Sequence, residues 1–182
     1  MLKDMASCGI MIYYTLTGVA QMKEQKTNVM RILEQKKIKY VPHEYPHGEE
    51  AVDGATVAAI CGLDPSQVFK TLVVRGASKT VYVFDIPVTG ELDLKKAAKA
   101  AGEKSIAMIH VSEINALTGY IRGGCSPIGM KKQYKTFIDT SAQDKETIMV
   151  SAGKIGYQVE LNPVDLATLV RAKFADLVSE ND

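Results

Sequence analysis

The sequence predicts a single α+β domain in which helices flank a mixed, mostly antiparallel, barrel-like β-sheet. Three observations carry this expectation: helical periodicity near both ends of the chain, short β-branched and aromatic segments between them, and the lack of a βαβ alternation or a GxGxxG turn. With 182 residues, 46% of them hydrophobic and 24% charged, the chain has material for one core of ordinary size.

From Thr27, the apolar residues Val29, Ile32 and Leu33 alternate with Arg31, Glu34 and Lys36 at helical spacing, and Thr27 or Asn28 can cap the N-terminus. The segment Ile38 to Tyr45 reads as a strand, and Pro42, which has no N–H to give a neighbour, places it near a sheet edge. A short helix is expected over Thr56 to Cys61, stopped by Gly62, followed by a brief turn at Asp64-Pro65. Phe69 to Arg75 and Thr80 to Ile86 form a hairpin of two buried strands at the centre of the sheet. Asp93 to Ala101, closed by Gly102, is an alanine-rich helix; Ile106 to Ile109 is a short strand; Ser112 caps a helix that ends at Gly119. Lys135 to Asp139, Thr147 to Ser151 and Gln158 to Leu161 are strands, and Pro163 opens a last amphipathic helix through Leu166, Leu169 and Val170.

Between these elements lies Gly119-Tyr-Ile-Arg-Gly-Gly-Cys-Ser-Pro-Ile-Gly129, with four glycines and one proline. Glycine lets the main chain approach a ligand closely and proline stiffens the turn, so the loop is either a rigid cradle of N–H groups or a plain surface connection. Lys131, Lys132 and Lys135 follow it, and Lys95, Lys96 and Lys99 share a helix; each cluster is either a local basic patch or a solvated face. The net charge of +1 argues against a broad footprint for duplex nucleic acid.

Cys8, Cys61 and Cys125 show neither CxxC nor other metal spacing, which fits a reducing cytoplasm better than a disulfide framework. No apolar run has the length of a membrane span. Residues 1–21 read as an N-terminal extension: Asp4 cancels the early positive charge, tyrosines and threonines dilute the apolar stretch, and Met22 is a more conventional start than Met1. The domain proper is then 22–182.

Lys70 opens an otherwise apolar strand, so it either reaches solvent at the strand end or faces a ligand as a point charge for a phosphate, carboxylate or ester carbonyl, with the Thr71 hydroxyl beside it. Ser126 and Ser151 lie in glycine-rich surroundings but not in GxSxG or SxxK. His43 and His47 are four apart, yet Pro42 and Pro46 forbid the helix that would make them a metal pair. Cys125 is either a nucleophile or a small buried filler. His43, His47 and His110 could in principle supply a base, but the residues alone describe a binding cleft with a lysine and backbone donors and no recognisable catalytic group, cofactor or metal.

Four motifs occur together: Phe69-Lys-Thr-Leu72, Leu94-Lys-Lys-Ala-Ala-Lys99, Gly123-Gly-Cys-Ser-Pro-Ile-Gly129 and Val150-Ser-Ala-Gly-Lys-Ile-Gly156. In order and spacing, from about Met22 onward, the chain resembles the YbaK/EbsC branch of the prolyl-tRNA editing family. The resemblance implies a free-standing deacylase that removes cysteine from mischarged tRNA(Pro), or from tRNA(Cys), working beside prolyl-tRNA synthetase. It implies that Lys70 orients the ester carbonyl or terminal adenosine and that Gly123 and Gly124 contact the aminoacyl group. The rest of the pocket would be Tyr45, Thr71, Ser126, Pro127, Gly129, Ser151 and Gly153. In this family the substrate's own thiol is thought to attack the ester. Two positions depart from the pattern: Ala152 replaces a second glycine and is expected to narrow the loop, and Gln158 stands where some members carry an aspartate. Alanine or another small amino acid therefore stays open as the substrate, as does a non-catalytic nucleotide- or tRNA-binding role. Near-neutral charge predicts weak intrinsic tRNA affinity and help from a partner.

Overall fold

The computed structural model describes residues 25–179, so the expected extension at 1–21 lies outside the described residues. Helix α1 (Asn28–Gln35) starts where Thr27 Oγ1 accepts from the Met30 N–H. It buries Val29, Met30 and Leu33, as its periodicity predicts. Strand β1 (Tyr40–Glu44) follows, and Pro42 does sit in an edge strand.

Helix α2 (Gly54–Cys61) begins two residues earlier than expected, because Asp53, not Thr56, is its cap: the Asp53 carboxylate accepts from the Thr56 N–H at 3.0 Å and from its hydroxyl. Gly62 ends it in the left-handed conformation. A single 3₁₀ turn at Pro65–Gln67 leads into the hairpin of β2 (Phe69–Gly76) and β3 (Val81–Pro87). Then come α3 (Leu94–Ala101), capped by Asp93, β4 (Ile106–Met108) and α4 (Val111–Thr118). The cap of α4 is His110 rather than Ser112: His110 Nδ1 accepts from the Ser112 N–H while Glu113, three residues on, reaches back to the His110 N–H, whereas the residue three after Ser112 is Asn115. After the glycine loop, β5 (Lys135–Asp139), β6 (Ile148–Lys154), β7 (Tyr157–Leu161), α5 (Pro163–Val170) and β8 (Lys173–Ala175) complete the order. Strand β8 was not expected, since three residues are too few to show a period of two.

The architecture is α+β with mixed pairing, as predicted, but the strands divide between two sheets that do not close into a barrel. One has three antiparallel strands in the order β1-β7-β6; the other has five in the order β4-β2-β3-β5-β8, with β5 parallel to both β3 and β8. A lone parallel bridge, Val68 to Met149, ties the sheets where β2 begins.

Three apolar clusters hold these parts. Val29, Leu33, Phe69, Ile138, Val150, Val159 and Leu166 form one cluster that joins α1 and α5 to both sheets. Phe84 stacks on Phe137 at 5.2 Å under α3. Tyr45, Val57, Val68 and Met149 seat α2 against the three-stranded sheet. At ~25 cal/mol per Å² of apolar surface removed from water, such burial is the main favourable term in folding. Here it fixes the seam between the sheets, over which the functional cleft opens.

Candidate functional site

The larger described cleft, of about 380 Å³, opens across the start of β2. Its apolar walls come from Tyr45, Val52, Val57, Val68, Phe69 and Val88; its polar groups are Asp53, Lys70, Thr71, Cys125, Ser151 and Gln158, with Gly123 and the α2 start at Gly54 and Ala55. This volume is at the small end of ligand pockets.

Side-chain alternation explains the arrangement. Lys70 lies opposite Ile86 on the face of β2 that packs on α3, whereas Thr71 lies opposite Asp85 on the face turned to the second sheet. The cleft crosses the end of the strand, so both neighbours reach it. Lys70 Nζ is 3.2 Å from the Glu91 carboxylate, which is 85% exposed and easily displaced. The ammonium is thus tethered at the rim and available to an anionic or carbonyl oxygen.

On the opposite wall, the cross-strand register places His43, Gln158 and Ser151 side by side. Gln158 and Ser151 face the cleft, while His43 Nε2 is engaged by Glu160 at 2.8 Å and does not line it. Ser151 Oγ accepts from the Gly153 N–H at 3.2 Å, an interaction that shapes the bulge between β6 and β7. Ala152 is fully buried in the cluster around α1. Its methyl fills core in that cluster and does not line the cleft.

The glycine loop is held by its own bonds. The Tyr120 hydroxyl donates to the Ile128 carbonyl at 2.6 Å, Ser126 Oγ accepts from the Ile128 N–H at 3.2 Å, and the Gly124 N–H is engaged by the Ile121 carbonyl at 3.0 Å. Gly123 has φ +85°, and a Cβ there would lie 2.4 Å from that of Ala51. A Cβ on Gly124 would press to within 3.1 Å of the Ile155 backbone, so the glycine loop lies this close to Ala51 and to the Lys154–Ile155 backbone because neither glycine has a side chain.

Of the ten residues singled out from the sequence, five meet in this cleft: Tyr45, Lys70, Thr71, Gly123 and Ser151. The others do not line it. Gly124 packs on the Lys154–Ile155 backbone, Ser126 is fully buried beneath the loop, and Gly153 abuts Tyr120 and Val29. Pro127 and Gly129 border a separate cavity of about 160 Å³ with Ile32 and Leu169. These five shape the loop from behind because a turn stiff enough to present Gly123 must anchor its remaining residues in the core.

Sequence reading missed two features. The start of α2 lines the cleft, although nothing in Val52-Asp-Gly-Ala55 marks it beyond a helix cap. Asp85 lies directly beneath, fully buried; its Oδ1 accepts from the Thr71 hydroxyl at 2.6 Å and its Oδ2 has no partner among the described residues. The signal was a carboxylate inside Val83-Phe-Asp-Ile86, as conspicuous as Lys70 one strand away. Burial pushes the Asp85 carboxyl up to about 7, against the pull of the Thr71 bond. Burial, with Asp85 nearby, also pushes the Cys125 thiol up to about 12, so it stays protonated near neutrality and is a poor nucleophile. Among the described residues no histidine lines the cleft; the Thr71 hydroxyl is bound to the Asp85 carboxylate, whereas the Ser151 hydroxyl is engaged only by the Gly153 N–H.

The cleft is a small pocket with a lysine at its rim. Residues 49–169 match the aminoacyl-tRNA editing domain, and the chain belongs to that family. EbsC of Enterococcus faecalis, provisionally named a Cys-tRNA(Pro)/Cys-tRNA(Cys) deacylase, is 45% identical over 157 residues, covering 86% of this chain and 96% of its own. A crystal structure described as that of a provisional trans-editing enzyme for prolyl-tRNA synthetase superposes with a TM-score of 0.73 at 25% identity, covering 84% of this chain and 95% of its own. Another solved structure, of the hypothetical protein APE2540, shares the fold with a TM-score of 0.75 at 22% identity, over 83% of this chain and 99% of its own. Among the described residues, no helix is long and apolar enough to cross a membrane.

Proposed function

We propose that this protein is a trans-editing deacylase that removes cysteine from mischarged tRNA(Pro), and from Cys-tRNA(Cys) where that is presented, beside prolyl-tRNA synthetase in the cytoplasm. The observation that carries the reading is the cleft's chemistry: Lys70 reaches a small pocket whose thiol, Cys125, stays protonated and whose Ser151 hydroxyl is bound to no base among the described residues. Such a site accelerates a reaction by holding and polarising a substrate that brings its own nucleophile.

In this reading Lys70 donates to the ester carbonyl oxygen, and the charge that develops there is stabilised by the ammonium. Gly123 and Tyr45 bound the aminoacyl side chain, while Ser151 and Gln158 form the far wall. Gly124, Ser126, Pro127, Gly129 and Gly153 act by keeping the loop in shape. The cysteine thiol attacks its own carbonyl, a C–S bond forms as the C–O bond to the terminal ribose breaks, and the thiol proton passes to the departing ribose oxygen. The products are a thiolactone and free tRNA. Gln158, neutral where some members of the family carry an aspartate, leaves the far wall without a charge for the substrate ammonium. A steric pocket rejects a methylene by only ~1–3 kcal/mol, so alanine is the competing substrate.

The test is purified protein incubated with Cys-tRNA(Pro), Ala-tRNA(Pro), Ser-tRNA(Pro) and Cys-tRNA(Cys), each with and without synthetase. Cysteine release far faster than serine release supports thiol attack. Binding without deacylation of any of them would leave a non-catalytic tRNA-binding module in place of the enzyme.

A further inference from the structure

We propose that Asp85 is a positioning residue that sets, through its own protonation, whether the Thr71 hydroxyl donates to or accepts from the aminoacyl group. The inference rests on the deacylase reading of the cleft and adds a regulatory feature to it.

The geometry is restrictive. Thr71 and Asp85 are directly paired across β2 and β3, on one face, with oxygen atoms 2.6 Å apart. Thr71 borders the cleft; Asp85 is wholly buried beneath it. A threonine hydroxyl has one proton, so what it offers the cleft depends on what it gives Asp85. When Asp85 is ionised, Thr71 must donate to Oδ1 and can only accept from a ligand. When Asp85 is protonated, Oδ2 is a poor place for the proton, because a buried O–H there would find no acceptor. The proton therefore sits on Oδ1 and is donated to Thr71, whose own hydrogen turns to the cleft.

Little else around Asp85 titrates. Ile138 is its partner on β5. The next residue, Asp139, has its carboxylate engaged by the Ser141 and Leu177 N–H groups. Cys125, the titratable group beside it in the glycine loop, is a neutral thiol across the working range. Lys70 and its partner Glu91 lie on the other side of β2. The polarity change consequently belongs to Asp85 and falls near neutral pH.

An aminoacyl ester presents an ammonium donor and a carbonyl acceptor. With Lys70 already donating to the carbonyl, a Thr71 that accepts is matched to the ammonium, so ionised Asp85 is the competent state. Deacylation should rise as pH passes through the Asp85 transition.

The experiment compares kcat/KM for Cys-tRNA(Pro) from pH 5.5 to 8.5 in the wild type and in Asp85→Asn, whose side-chain oxygen still accepts from Thr71 but cannot ionise. Titrations of the substrate's own amine and thiol are common to both and cancel in the ratio. The wild-type to variant ratio should change by roughly tenfold across the range, the scale of one hydrogen bond reversed in a cleft. Thr71→Val should flatten the profile in the same way with Asp85 intact. In the free wild-type protein, carbon-13 NMR of labelled aspartate should show one carboxyl titrating near neutrality. A constant ratio, or all carboxyls titrating near 4, overturns the proposal. Absence of turnover by the wild type at every pH would instead strike the deacylase reading, while the NMR titration would still decide the state of Asp85.

Discussion

Asp85→Asn should remove a pH-dependent loss of stability. In the unfolded chain this carboxyl ionises near 3.8, and in the fold at about 7. Between those values the folded state holds a proton that the unfolded state has released, so stability is complete below about pH 4, falls as pH rises, and levels off above about 7. At ~1.4 kcal/mol for each pH unit, the burial of an ionised Asp85 costs roughly 4 kcal/mol at pH 8. Asparagine keeps an acceptor for Thr71 and carries no charge. Urea unfolding of both proteins at pH 4.5 and pH 8 should show the difference between them moving by roughly 3 kcal/mol in the variant's favour, or ~1.5 M in midpoint for a typical urea dependence. Parallel stability curves would refute the reasoning, since they would mean that Asp85 meets water or a cation in the fold and ionises normally.

Lys70→Ala should abolish deacylation and leave the unfolding midpoint nearly unchanged, because the ion pair it breaks is with the exposed Glu91; retained turnover would remove Lys70 from the mechanism. Gly123→Ala should lower stability by at least ~1–2 kcal/mol for the positive φ alone, with further cost from the contact with Ala51, and should raise KM, as thermal melts and kinetics would show. Cys125 should resist iodoacetamide at pH 7.5 in the native protein and react quickly in urea, followed by mass spectrometry of its peptide; fast native alkylation would mean a thiolate in the cleft and reopen the nucleophile question.

What could be read from the sequence follows from how local each signal is. Helix stops at Gly62, Gly102 and Gly119 were legible because a left-handed residue after a helix almost demands glycine. The hairpin of β2 and β3 was legible from two apolar runs around a short turn. Strand β8 was not, because three residues gain their identity only by pairing beside β5. In the site, Lys70 stood out as a charge in an apolar strand. Ser126 and Pro127 looked equally suited to a ligand, yet whether a loop residue faces a cleft or anchors the loop depends on what packs behind it, and here that is α1 and the β6–β7 bulge.

The sequence by itself determined the class of fold, the family, and the pairing of a lysine-bearing strand with a glycine loop, since these rest on residue types at fixed spacing. Only the tertiary structure decided that the strands form two sheets rather than a barrel. It also decided that Gly123 reaches the cleft while its neighbours do not, and that Asp85 lies buried under Thr71. Each of these depends on which faces of distant strands meet, and a one-residue alternation in a strand leaves that choice to packing.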